Sequence, residues 1–304
     1  MIDPTQETLG SVLHAHAIKQ PDNVAMIGAN RALTWSELDQ EVNRVARLFT
    51  SLGIQHGDAV GMCTSKRPEV SITFMALSRI GAIAAPVNFK LEPGRIAQQF
   101  ATAQIKAVLL EAKLDPIMAP LTSHFGDRVV YLDQDGTLGG VNYASISEIS
   151  GEPLDSDAKP DDICYYNYTS GTTGQPKAAE ATHAHILWNS VSGVDGLGMN
   201  KDDVFLGMFS VFSHPHELFN RALVAGCAMV IVDTMSPRVV VQLVAKHKIT
   251  WMMAVPSFYE MMLSHMGGDE LDTSSLRILE SGGAWVSPDT LERLEVRFGC
   301  GFMP

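Results

Sequence analysis

The chain has 304 residues, of which 46% are hydrophobic and 18% charged, with a formal net charge of −12. This is the composition of an ordinary soluble globular protein, long enough for a large core and for about two domains. The acidic balance argues against a nucleic-acid or anionic-membrane surface.

The predicted elements alternate between helix and strand. Thr34 and Glu37 form a capping box, Leu38, Val42, Val45, Phe49 and Leu52 then fall on one helical face, and Gly53 closes the helix. A strand over 59–64, a helix over 68–80, a strand over 83–87, a helix after Pro93 and strands over 107–110 and 129–132 follow. The pattern fades between 133 and 160, where Gly, Asp, Ser and Pro accumulate, and a subdomain boundary is expected there, dividing 1–155 from 156–304. Alternation then resumes with strands over 163–168, 204–209, 228–232, 249–254 and 276–279. Ser287, Pro288 and Gly299 bracket a helix with Leu291, Leu294 and Phe298 on one face, after which the alternation calls for another strand. The fold class is α/β, with mainly parallel, helix-flanked sheets in two subdomains.

Cys63, Cys164, Cys227 and Cys300 are widely separated and form no C-x-x-C, so reduced thiols in a cytoplasmic protein are expected. The longest apolar run, 222–232, is interrupted by Gly226 and too short to span a bilayer. No charged-then-apolar leader opens the chain, and no integral membrane segment is expected.

The most informative stretch is Tyr168-Thr169-Ser170-Gly171-Thr172-Thr173-Gly174-Gln175-Pro176-Lys177. Hydroxyls beside two glycines let backbone and side chains approach a phosphate together, and Lys177 adds a mobile positive charge. A strand precedes the loop and a helix is expected from Thr182, the setting in which open α/β sheets present anion-binding turns. The spacing of Gly171 and Gly174, with Pro176 before the lysine, matches neither a Walker A loop nor a dinucleotide fingerprint.

The string resembles the phosphate-binding signature of the acyl-adenylate-forming superfamily, which includes acyl-CoA synthetases, firefly-type luciferases and the adenylation domains of peptide synthetases. Further segments match in order: Leu33 to Leu38, Leu52 to Val60, Gly81-Ala82, Pro86-Val87-Asn88, Thr182-His183, Val255-Pro256-Ser257-Phe258-Tyr259 and Ser281-Gly282-Gly283-Ala284. The resemblance implies the N-terminal portion of an AMP-forming acyl-CoA synthetase, truncated before the family's barrel and small C-terminal domain. Its Tyr-Gly-x-Thr-Glu motif, ribose-holding aspartate and C-terminal lysine do not occur in these residues. Ala178-Ala179-Glu180 also departs from the usual glycine after the loop lysine, placing a carboxylate close to the expected phosphate site.

The resemblance assigns ATP phosphates to Thr169, Ser170, Gly171, Thr172, Thr173, Gly174 and Lys177, and the adenine to Gly282, Gly283 and Ala284. It assigns the acid substrate to Phe212 and His214, with His214 as the catalytic candidate and His216 second. ATP, Mg²⁺ and CoA are the implied cofactors and co-substrate, and a small-molecule carboxylic acid the implied partner; no protein metal ligands are indicated. Ser210 stands where amino-acid-activating relatives carry an aspartate, so an acid without an α-amino group is favoured. Two glycines also suit a plain tight turn, and Trp188, Phe212, Met253 and the 259–266 stretch suit either an acyl pocket or ordinary core. A naturally truncated, non-catalytic nucleotide- or acyl-binding protein and a partly folded remnant remain as alternatives. Self-association through a surface exposed by truncation is expected.

Ligands of open α/β sheets bind beyond the carboxyl ends of strands. The glycine-rich loop, the segment after Phe209, Val255-Pro256 and 281–284 are therefore expected to line one cleft.

Overall fold

A computed structural model of the chain describes residues 2–122, 125–133, 136, 139–169, 177–212, 214–265 and 272–303. In chain order the elements are α1 (Leu9–Lys19), β1 (Val24–Ile27), β2 (Ala32–Thr34), α2 (Trp35–Ser51), β3 (Ala59–Cys63), α3 (Pro68–Arg79), β4 (Ile83–Pro86), α4 (Pro93–Thr102), β5 (Ala107–Leu110), α5 (Asp115–Thr122), β6 (Val129–Tyr131) and β7 (Val141–Asn142). There follow β8 (Ile163–Thr169), β9 (Lys177–Thr182), α6 (His183–Leu197), β10 (Val204–Gly207), α7 (Asn220–Ala225), β11 (Ala228–Val230), α8 (Pro237–His247), β12 (Trp251–Ala254), α9 (Pro256–His265), β13 (Ile278–Ser281), α10 (Pro288–Phe298) and β14 (Gly301–Met303).

Local signals in the sequence account for the strongest helices. The Thr34 hydroxyl accepts the Glu37 N–H at 3.2 Å, and the Glu37 carboxylate accepts the Thr34 N–H at 2.8 Å, so two of the orphan donors at the start of α2 are satisfied reciprocally. Leu38, Val42, Val45 and Phe49 are fully buried, each stabilising by about 1.5–3 kcal/mol relative to exposure. At α10 the Ser287 hydroxyl accepts the Thr290 N–H at 3.1 Å, Pro288 takes the first turn, and Gly299 ends the helix at φ +65°. The strand that the alternation requires next is β14.

The strands form two seven-stranded sheets, in the orders β14-β13-β12-β10-β11-β1-β2 and β7-β6-β5-β3-β4-β8-β9. Among the described residues only β1 with β2 and β8 with β9 pair antiparallel. β3, β4 and β5 are buried along their whole length, as parallel strands covered on both faces must be. Both sheets draw strands from both sides of residue 155. β1 and β2 join the sheet of β10 to β14, and β8 and β9 complete the sheet of β3 to β7. The interval in which periodicity fades holds β7 and a 3₁₀ turn over Tyr143–Glu148.

Between the glycine-rich segment and the helix expected from Thr182 lies a strand that the sequence reading did not include, β9, which runs back along β8 with Lys177 opposite Thr169 and Thr182 opposite Ile163. Helix α6 starts only after Thr182, whose hydroxyl accepts the His185 N–H at 3.2 Å. Lys-Ala-Ala-Glu-Ala-Thr carries little intrinsic strand preference; β9 is an edge strand formed by pairing with the backbone of β8. Glu180 is exposed and lies opposite Tyr166.

The two sheets are joined through α3 and the segment after β10. Phe74 of α3 is fully buried, with ring centroids 5.7 Å from Tyr165 and 5.3 Å from Phe219. Phe89, just beyond β4, meets Phe212 edge-on at 5.0 Å. These contacts bring the carboxyl ends of strands from both sheets to one side of the molecule.

Candidate functional site

A cavity of about 810 Å³ opens where those ends converge. Ser65 and Lys66 follow β3, Phe89 and Lys90 follow β4, and Lys113 lies beyond β5. From the other sheet come residues 208–212, His214 and Glu217 after β10, Asp233 to Met235 after β11, Val255 after β12, and Gly282 and Gly283 after β13. Every one of these positions obeys the carboxyl-end rule.

His214, Phe212, Gly282 and Gly283 therefore share one cavity, as do Phe209, Met253 and Val255. Ser170, Gly171, Thr172, Thr173 and Gly174 lie outside the described residues. Thr169 ends β8, and Lys177 opens β9 with an exposed side chain that does not line this cavity. Ala284, Pro256 and Ser281 are also absent from its lining. Trp188 is exposed on α6, and Tyr259 is core, its hydroxyl donating to the carbonyls of Met252 at 2.9 Å and Glu280 at 2.7 Å.

His214 is exposed on the cavity lining, its ring 6.4 Å from Phe209 and 6.0 Å from His216. Partial desolvation holds its pKa below the ordinary histidine value, His216 adds to that, and Glu217 opposes it. At neutral pH the ring is therefore neutral and presents one N–H donor and one acceptor. The adjacent 3₁₀ turn, Pro215–Leu218, buries His216 and Glu217, whose side chains approach to 3.5 Å. Burial disfavours the Glu217 carboxylate, yet the His216 hydrogen bond and the nearby charge of Arg221 hold it below the usual range. The turn is pressed against β10: a Cβ on Gly207 would lie 2.4 Å from the Glu217 carbonyl oxygen.

At the end of β13, Gly283 has φ +84°, a backbone conformation that side-chain-bearing residues rarely adopt. The strand beneath it is anchored by Glu280, which accepts from Arg221 of α7 at 2.9 Å and from the Trp251 indole at 3.0 Å, all three buried. A flat ligand can thus reach the backbone of 282–283 over a rigid floor.

Reading the sequence for family motifs did not single out the side chains supplied by the first sheet. Lys66 is buried and its pKa is lowered to about 8 by burial, with Asp233 pulling it back up. The carboxyl-end rule, applied to β3, β4, β5 and β11 as well, would have included them. Among the described residues there is no group of three or more His, Cys, Asp or Glu side chains placed to hold a metal ion, and no helix is long and apolar enough to cross a membrane.

Two mainly parallel sheets thus share one cavity at their carboxyl ends. The family described as AMP-binding enzyme matches residues 13–303, and the chain belongs to it. It is 28% identical over 285 residues to 4-coumarate–CoA ligase 4 of Arabidopsis thaliana, covering 88% of this chain and 50% of that protein. It is 27% identical over 290 residues to indoleacetate–CoA ligase of Aromatoleum aromaticum, covering 94% and 56%. The fold superposes on the anthranilate CoA ligase AuaEII in complex with anthranoyl-AMP with a TM-score of 0.91, at 20% identity, over 99% of this chain and 60% of that one. The chain thus spans about half the length of the curated relatives it matches.

Proposed function

We propose that this chain is the ATP- and acid-binding part of an AMP-forming CoA ligase acting on a carboxylic acid without an α-amino group. The observation that carries the reading is that His214, Phe212 and the 282–283 turn, drawn from the ends of two different strands, line one cavity. Family membership and the CoA-ligase relatives support the same chemistry. In that reaction a substrate carboxylate oxygen attacks the α-phosphorus of ATP, the bond to the bridging oxygen breaks, and pyrophosphate leaves. The CoA thiol, losing its proton, then attacks the acyl carbon and expels AMP.

The nucleophile is already an anion, so the residues of this chain have to position groups and offset charge. Neutral His214 would donate one hydrogen bond to the carboxylate without quenching its nucleophilicity. Gly282 and Gly283 would let the adenine lie against backbone. Residues 169–174 and Lys177 would receive the phosphates, and Phe212 would pack on the acyl group. Mg²⁺ would arrive on the phosphate oxygens, since the described residues offer it no cluster of their own.

Calorimetric titration with ATP·Mg²⁺ tests this reading. Wild-type chain should bind saturably, and Lys177→Ala should bind about tenfold more weakly, the loss of one charge-assisted contact. Failure of the wild-type chain to bind, or equal binding by the variant, would defeat the phosphate assignment. His214→Ala should leave ATP affinity intact while weakening the acid.

A further inference from the structure

Lys66 is 6% exposed, and its side chain lines both the main cavity and a neighbouring recess of about 430 Å³. Among the described residues its hydrogen-bonding neighbour is the Met208 sulfur at 3.8 Å, a weak acceptor, and no carboxylate is paired with its ammonium. The other cations around the recess are matched: Arg31 pairs with Glu41 at 2.7 Å and Arg67 with Glu69 at 3.0 Å. Lys113, across the main cavity, pairs with Glu111 at 2.9 Å.

The turn that carries Lys66 is built rather than slack. The buried Glu111 carboxylate accepts the Ser65 N–H at 3.0 Å and the Ser65 hydroxyl at 2.6 Å, fixing the residue before Lys66. Pro68 opens α3 immediately afterwards, and its N-cap, Arg67, makes no side-chain capping hydrogen bond. A buried ammonium without a hydrogen-bonded counter-ion is destabilising unless something with negative charge completes it. The lining around it is otherwise largely apolar, with Phe89, Met208, Val211 and Met235 nearby in the same cavity. Such a cavity holds a carbon skeleton, and of the three lysines on its lining Lys90 and Lys113 are exposed while Lys66 is buried.

We propose that Lys66 is the seat of a second anionic group within the cavity, and that the acid activated here carries a distal carboxylate, or another oxyanion, that pairs with it. The assignment to the acid rests on the ligase reading above; the anion seat itself does not. Phosphate oxygens of a nucleotide offer the same chemistry, and the test separates the two sources. Asp233, whose charge already acts on Lys66, would favour the protonated ammonium without forming an ion pair with it.

The test uses the 304-residue chain and its Lys66→Met variant, which preserves side-chain length beside Met208. Succinate, glutarate, adipate and terephthalate are each titrated against the monocarboxylate of the same skeleton, and pyrophosphate is titrated separately. At least one dicarboxylate should bind the wild-type chain about tenfold more tightly than its partner, and the preference should vanish in the variant. Loss of pyrophosphate binding alone in the variant would keep the anion seat and move its ligand to the phosphates, overturning the distal-carboxylate assignment. Preferences identical in both chains would overturn the proposal entirely. In the wild-type chain alone, the Lys66 ε-carbon resonance should titrate at higher pH once the preferred anion is bound; an unmoved titration under saturating ligand also overturns it. ATP titration of Lys177→Ala reports on the ligase reading separately, so either idea can fail while the other stands.

Discussion

Arg221 donates to Glu280 at 2.9 Å from within the core, tying α7 to the strand whose end forms the 282–283 turn. Arg221 also donates to the Asn189 carbonyl and side-chain oxygens, both at 3.0 Å, while the second Glu280 oxygen accepts from Trp251. Arg221→Met leaves Glu280 as a buried carboxylate with only the indole to satisfy it, and should cost about 3–5 kcal/mol. Glu280→Gln keeps an acceptor for Arg221 but sets an amide against the indole N–H, and should cost about 1–3 kcal/mol. Urea denaturation of both variants checks the order; a milder Arg221→Met would show that the pair is not what holds this strand.

Gly207→Ala should damage the site more than its single methyl suggests. The added Cβ would meet the Glu217 carbonyl oxygen at 2.4 Å and the Leu218 Cα at 3.1 Å, and both obstacles are backbone. The 215–218 turn must then move off β10, taking His214 and Glu217 with it. We expect a loss of about 1–3 kcal/mol together with weakened carboxylic-acid binding. Full stability and unchanged binding in this variant would mean that the turn is not pressed against the strand.

His183 should make the protein acid-sensitive. The residue is fully buried at the start of α6, and its Nδ1 accepts the Leu9 N–H at 3.3 Å. Burial lowers its pKa from 6.5 to about 4, against the pull of Asp162. Between those values the unfolded chain binds a proton that the native chain refuses. Stability is therefore complete above pH 6.5 and falls as pH drops toward 4, by about 3 kcal/mol in all. His183→Asn keeps an acceptor for Leu9 without the titration, so its stability should fall less across that window in paired urea titrations. Equal slopes would remove His183 as the cause.

What could be read from the sequence was whatever has a local cause. Thr34 with Glu37, and Ser287 with Gly299, mark helix ends through their own neighbours, and the continuous apolar runs of β3, β4 and β5 identify a buried parallel sheet. β9 was hidden because its formation depends on β8, and the pairing of β1 with β11 depends on residues some two hundred positions away. The site divided along the same line. Gly282, Gly283, Phe212 and His214 were legible through their motifs and through the strands they follow. Lys66 sits in a Ser-Lys-Arg-Pro stretch that looks like solvated loop, yet it is buried, with Met208 from the other sheet 3.8 Å from its ammonium.

Burial of Lys66 has a measurable consequence at alkaline pH. Its pKa falls from 10.5 to about 8 in the folded chain, because desolvation outweighs the field of Asp233. Between these values the unfolded chain carries a proton that the folded chain has released, so stability attributable to this residue rises with pH across that window. Below pH 8 the whole cost of keeping the ammonium inside, about 3 kcal/mol, weighs against folding in the absence of ligand. Lys66→Met has no such cost. The ligand-free variant should be more stable than the wild-type chain at pH 7, and the gap should narrow toward pH 10.5. Paired urea titrations at several pH values measure it as a difference, which cancels the alkaline titration of tyrosines common to both chains. A variant less stable than wild type at pH 7 would mean that Lys66 is a structural contact and not a charge held in readiness for an anion.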